Sequence, residues 1–493
     1  MRLIVYLWKR FFVLSTARAS LHWAQPSPSL AKWLKSLYTC WIGIPHVARG
    51  IMVGLTIALL THVFQETEPV RKLEDAGLDW MIGMYRGVPR SSSTDLRPIL
   101  FLDIDERSYR HWGEPLFTPR DKLLKLIRYA VEGGAAAVIV DVELSSTSGN
   151  NDQALQDYLS NFDAGLPHAP EILLVRGIRM PVLKEDGLVE QRRSFLDDSV
   201  KNNSHLHWAA PLYQLDEDAI VRRWRLWEAT CVKYGTTGTE QVSALPSFQL
   251  LASVLLKEGN NGARNLQNAL QGQLPASCKN TANEGKHTGK DSIRVGDVRF
   301  HAIGNSVETR ILYSIPWRLK SGESYPKVDW QGDPNYPLFT IKPAVVVTET
   351  VEPKPADLQG QVVFIGSSFA DSRDIYSTPI GAMPGVMINA NAFLSFYQNG
   401  EAEESPWLKN GLKVLLIVVI AVVFAQLPGI VAKAVASFVT LLFILPASFW
   451  LFRSGVWIDF VLPLAAVEFH AMAVEFEEKL TQLQTQTQTQ TQD

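Results

Sequence analysis

From Val414 to Ala432 the chain runs nineteen residues without a charge (VLLIVVIAVVFAQLPGIVA), and after Lys433 the stretch Ala434–Phe452 adds nineteen more. A third apolar run, Trp457–Val474, is interrupted by Asp459 and Glu468. About 20 apolar residues carry a helix across the hydrocarbon core of a bilayer. The tail therefore reads as three membrane helices within 411–475, turning at Leu427-Pro428-Gly429 and at Arg453-Ser454-Gly455. A shorter run at 50–64 (GIMVGLTIALLTHVF) is a fourth candidate, with Arg49 placed to reach the interface.

The rest of the chain is soluble in character. Over 493 residues, 46% are hydrophobic and 20% charged, which fits two or three units. A net charge of −3 argues against a nucleic-acid partner. That total hides an asymmetry, because residues 1–49 hold Arg2, Lys9, Arg10, Arg18, Lys32, Lys35 and Arg49 and no acid. The positive-inside rule places such a segment in the cytoplasm. Its first seventeen residues suit a helix lying on membrane lipid rather than a cleavable signal, since Lys9 and Arg10 split the apolar run. One span at 50–64 then puts 65–410 outside, and three more return the tail 476–493 to the cytoplasm.

Three cysteines occur, with Cys231 and Cys278 on the outer side. A disulfide between them suits an oxidising compartment and would close a loop of about 48 residues, contributing about 3–4 kcal/mol. No cysteine or histidine spacing suggests a metal, and no cofactor is expected.

Within the outer segment, 65–90 reads as a helix leaving the membrane, with a stripe of Val70, Leu73, Gly77, Trp80/Met81 and Met84, kinked near Pro69. A βαβ pattern follows. Pro98–Ile104 is an apolar strand, Thr118 caps a helix with Pro119 in its first position, Gly133-Gly134 ends it, and Ala135–Val142 is the next strand. Continuous apolar strands joined by a helix imply parallel pairing within an α/β domain. Further strands fall at 171–177, 206–211, 309–314 and 361–366, and helices at 247–257 and 385–397. Between about 183 and 300 the pattern loosens, as a divergent insertion would, and 277–292 reads as a polar loop.

Two blocks, FLDIDERSYRHWGEPLFTPRDKL with GGAAAVIVDVEL at 101–144 and LQGQVVFIGSSFADSRDIYSTPIGAMPGVMINANAF at 358–393, resemble the CHASE2 domain, a bacterial extracytoplasmic sensor. The resemblance implies one span before the sensor and three after it, as the hydropathy also reads. Members of that family commonly carry a cyclase or kinase on the inner side. Here the tail to Asp493 holds none, so the expected output is a separate cytoplasmic protein.

Asp103 and Asp105 at one strand end and Asp141 at the next place carboxylates at the carboxyl edge of a parallel sheet, where α/β folds bind ligands. With Arg120, Gly366, Ser367, Ser368 and Asp374 they form either a pocket for a cation or polar ligand or a structural network of loop caps and ion pairs. The strand ending Asp-x-Asp is superficially similar to haloacid-dehalogenase-type phosphotransferases. That pattern wants Thr or Val where this chain has Arg107, and its later acidic pair has no counterpart, so no enzyme is expected. Two functions follow: an inner-membrane sensor, as a homo-oligomer or with membrane-protein partners, or a structural subunit of an envelope complex that senses nothing.

Overall fold

The computed structural model describes residue 52, residues 67–84, residues 97–400 except 150, 165, 167, 181–186, 235–238, 280–291, 302–308, 318–327, 331–332 and 351–356, and scattered positions between 411 and 452. The expected basic segment 1–49, the span at 50–64, the tail 476–493 and most of the three spans within 411–475 lie outside these residues. Among the described residues no helix is long and apolar enough to cross a membrane.

The helix expected over 65–90 is α1, Glu68–Met84. Pro69 stands in its first turn, where a missing N–H is tolerated, and so starts the helix rather than kinking it. Its buried residues include Leu78, Met81 and Ile82, whereas Met84 is exposed. Of the expected stripe Gly77 and Met81 are buried, and the buried face widens to Leu78 and Ile82 instead of reaching Met84.

The centre of the domain is a seven-stranded sheet. In chain order its strands are β1 (Ile99–Ile104), β2 (Ala137–Val140), β3 (Glu171–Val175), β4 (Leu206–Ala209), β5 (Val328–Trp330), β6 (Asp333–Pro343) and β7 (Val362–Ser367). Across the sheet they run β5-β6-β1-β7-β2-β3-β4, parallel throughout except for the antiparallel edge pair β5–β6. The helices beside it are α2 (Glu106–His111), α3 (Arg120–Glu132), α4 (Asp152–Asn161), α5 (Asp197–Asn202), α6 (Phe248–Gln271), α7 (Ala344–Thr350) and α8 (Gly385–Asn399).

Alternation along the strands divides these helices into two layers. Leu100, Leu102, Val138, Val140, Ile172, Leu174, Val363 and Ile365 pack with Leu123, Leu126 and Ile127 of α3, Leu155 and Leu159 of α4 and Val347 of α7. The intervening residues face the other way, where Phe364 meets Phe393 of α8 at 6.1 Å. Burial on both faces explains why β1, β2 and β7 read as unbroken apolar runs.

Local signals explain the helix ends with one shift. Helix α3 begins at Arg120 with Pro119 at its N-cap and no side-chain cap, so Thr118 does not serve as the cap. It ends in a Schellman arrangement, with Ala135 N–H on the Ala130 carbonyl and Gly134 N–H on that of Val131. Gly134 has φ 82°, which glycine alone adopts without strain. At the start of α6, Ser247 accepts from the Leu250 N–H.

The segment 183–300 contributes β4 to the central sheet and α6 to its second layer. It also builds most of a four-stranded sheet in the order 239–246, 227–234, 189–191 and 178–179. Two of these strands, 178–179 and 189–191, are very short, and the other two mix polar and apolar residues, so their apolar pattern is weak in the sequence. Cys231 and Cys278 are joined by a disulfide, which ties the chain beyond α6 to this sheet. Cys278→Ser is expected to lower unfolding stability by about 3–4 kcal/mol. Urea unfolding without reductant checks this, and an unchanged midpoint would show that the bond does not constrain the fold.

Candidate functional site

The carboxyl edge of β1, β7 and β2 is a topological switch point. The chain leaves β1 and β2 for helices of the first layer, α3 and α4, whereas it leaves β7 for α8 in the second. Loops that part to opposite faces open a crevice between the strand ends.

Three residues lie in one row across that edge. Asp103 on β1 is in register with Gly366 on β7, and Asp141 follows the paired Ile365 and Val140 by one position. All three project to the α8 side, because Leu102, Val140 and Ile365 pack on the other. Strand spacing puts the backbones of Asp103 and Asp141 about 10 Å apart. Gly366 sits between them because α8 arrives there: a Cβ at this position would stand 2.8 Å from Val386 Cγ2. Val386 therefore parts the crevice into two acidic sites.

The first site belongs to Asp103, which is 1% exposed. Ser368 Oγ donates to its Oδ2 at 2.8 Å, while Oδ1 is buried with no hydrogen-bond partner. Burial pushes this carboxyl up to about 8, the Ser368 hydrogen bond opposes that, and the charge of Asp105 adds to it. Asp105 caps α2, its Oδ1 accepting from Ser108 N (2.8 Å) and Ser108 Oγ (2.6 Å). Ser108 Oγ in turn accepts from Val345 N, linking this turn to α7. Above it, Tyr109 stacks on Phe369 with ring centroids 4.1 Å apart.

The second site joins Asp141 and Asp374. Asn389 of α8 donates to Asp141 Oδ2 at 2.8 Å. Burial, then the charge of Asp374, lift Asp141 to about 7 against the Asn389 hydrogen bond. Burial also raises Asp374, opposed by hydrogen bonds from the Tyr376 side chain and the Gly385 backbone. The Asp374 carboxylate lies so close to the N-terminus of α8 that a Cβ on Gly385 would fall 2.4 Å from its Oδ2. That end of a helix favours negative charge. Tyr213 and Tyr376 meet edge to face at 5.2 Å and are hydrogen-bonded to each other. Burial first, then Asp374 and Asp141, hold the Tyr213 hydroxyl far above its ordinary range.

Arg120 is not part of either site. It is 1% exposed, its Nε donates to Asp152 Oδ1 (3.2 Å) and its Nη2 to the Ser146 carbonyl (3.0 Å). The Ser368 N–H is likewise engaged, on the Ile104 carbonyl. An anion cradle of Arg120 and the 366–368 backbone is therefore not assembled. Ser367 ends β7 opposite Ile104. Sequence reasoning missed Tyr213, Tyr376 and Asn389. Asn389, beside a second amide at Asn391 in the apolar first half of α8, was the readable signal; Tyr213 lies far off in the chain and offered none.

The described residues thus build a layered α/β domain with two acidic sites at its switch point. A family model for the CHASE2 domain matches residues 53–426, and the chain belongs to this family of extracytoplasmic sensor domains. No curated protein and no solved structure matches the chain.

Proposed function

We propose that the chain is a sensor of the bacterial inner membrane whose switch-point carboxyls, in a domain on the periplasmic side, receive the input. Four membrane helices at 50–64 and within 411–475 carry the resulting state to a cytoplasmic partner protein. The domain acts without catalysis: Asp105, which a phosphotransferase would use as acid and base, serves as the cap of α2.

The observation that carries this reading is α8. Its first turn closes over Asp374, Asn389 in its second turn holds Asp141, and the chain beyond it leads to the apolar segment from 411. A change of charge or ligand at these carboxyls thus acts on the element that leads into the membrane. A second link suits the same arrangement: Trp80 of α1 meets Phe449 edge to face at 5.4 Å. In the four-span topology Phe449 falls near the outer end of the span 430–452, where a helix leaving the membrane would pass it. The shift transmitted can be no larger than the differential affinity of the input for the two packings.

Reporter fusions test the arrangement. An alkaline phosphatase fused at residue 200 is expected to be active, and fusions at 40 and 490 inactive. An inactive fusion at 200 with an active one at 490 would overturn the topology and the sensor reading with it.

A further inference from the structure

We propose that Glu171, His205 and His207 form a binding site for a divalent transition-metal ion, with Zn²⁺ the ion best suited to two imidazoles and one carboxylate. It lies at the opposite edge of the sheet from Asp103, and it does not rest on the sensor reading.

The sequence His205-Leu206-His207 enters the edge strand β4. Leu206 packs into the core with α3 and α4, so alternation turns both histidines to the other face. Strands β3 and β4 are parallel with Ile172 opposite Leu206, which sets Glu171 beside His205 on that same face. His205 Nδ1 stands 3.1 Å from Glu171 Oε1, and His207 Nε2 stands 2.8 Å from Oε2. Nitrogen and oxygen ligands at about 2.0–2.2 Å from one ion are themselves separated by about 3 Å. The imidazoles now approach opposite oxygens, so binding requires both rings to turn toward one side of the carboxylate. The side chains of His205, His207 and Glu171 are 27%, 16% and 13% exposed, which leaves an ion a way in.

Two further observations favour a metal over a plain hydrogen-bonded cluster. Among the described residues no lysine or arginine pairs with Glu171, so its charge has no permanent counterion there. The carboxylate is also held from behind: with its amide suitably turned, Asn260 donates to Glu171 Oε2 (3.2 Å) and to the Ser204 carbonyl (3.1 Å). Asn260 follows Gly259, whose φ 63° and ψ −162° break the helical path of α6. That backbone region is open essentially to glycine alone. Asn260 is thus a positioning residue of the sort that orients metal ligands.

The test uses the full chain without a histidine tag, purified in mild detergent, stripped with a chelator and dialysed against micromolar Zn²⁺. One bound equivalent is expected, lost in His207→Ala and in Glu171→Gln, and about tenfold weaker in Asn260→Ala. Glu171→Gln keeps both hydrogen-bonding atoms of the side chain, so it decides the matter if a histidine variant misfolds by circular dichroism. The proposal fails if the folded chain binds no Zn²⁺ under these conditions. It fails equally if the bound equivalent survives in the His205→Ala/His207→Ala double variant.

Discussion

Replacing Asp103 by asparagine is expected to take about 4 kcal/mol out of the pH dependence of unfolding between pH 5 and 8, leaving the part that Asp141 contributes. In the native protein burial pushes this carboxyl from the ordinary 3.8 up to about 8. The folded state therefore binds more protons than the unfolded state between those values, and stability falls as pH rises. The contribution is whole below about pH 4 and is lost progressively until the pH passes about 8. At about 1.4 kcal/mol per pH unit, the loss between pH 5 and 8 amounts to about 4 kcal/mol. The asparagine side chain cannot ionise and keeps an oxygen for Ser368, so the unfolding curves of Asp103→Asn should shift less over the same range, with Asp141 alone of the two buried strand-end carboxyls still titrating. Urea midpoints at pH 5, 6, 7 and 8 for both proteins decide this. Parallel slopes would show that the buried carboxyl is not the titrating group.

Arg120→Met is expected to destabilise the domain by about 3–5 kcal/mol at every pH where Asp152 is ionised. Methionine retains part of the buried stem but takes the cation from Asp152 and a donor from the Ser146 carbonyl. Burial would raise Asp152, yet hydrogen bonds from the Gly149 backbone, the Ser148 side chain and backbone, and Arg120 hold it below its ordinary range. Together the pair holds the connection from Asp141 to α4. Urea unfolding at neutral pH measures the effect. A loss under about 1 kcal/mol would mean that the Asp152 cap holds this loop without the arginine.

Much of the frame was legible because its signals are local. Unbroken apolar strands at 99–104, 137–140 and 362–367 announced a parallel sheet, and Gly133-Gly134 and Ser247 marked helix ends. The weaker strands were harder to read. In α1 Gly77 and Met81 were read correctly, but Leu78 and Ile82 were not, because residues next to a stripe differ by only about 100° around the helix axis. The segment 183–300 read as loosened because its strands owe their order to partners distant in sequence rather than to their own pattern.

The candidate site shows the same division. Asp103, Asp141 and the 366–368 turn were readable as strand-end residues of a βαβ sheet, and two cysteines in an outer segment as a bond. The sequence by itself determined which residues form the central strands and which carry charge at their ends. Only the tertiary structure decided that β7 lies between β1 and β2, that Val386 of α8 parts the two carboxyls, and that Arg120 turns to Asp152 instead. The reason is physical. Propensity and periodicity act over a few residues, whereas strand order and the pairing of buried groups join segments as distant as Asp103 and Ser368, 265 residues apart along the chain.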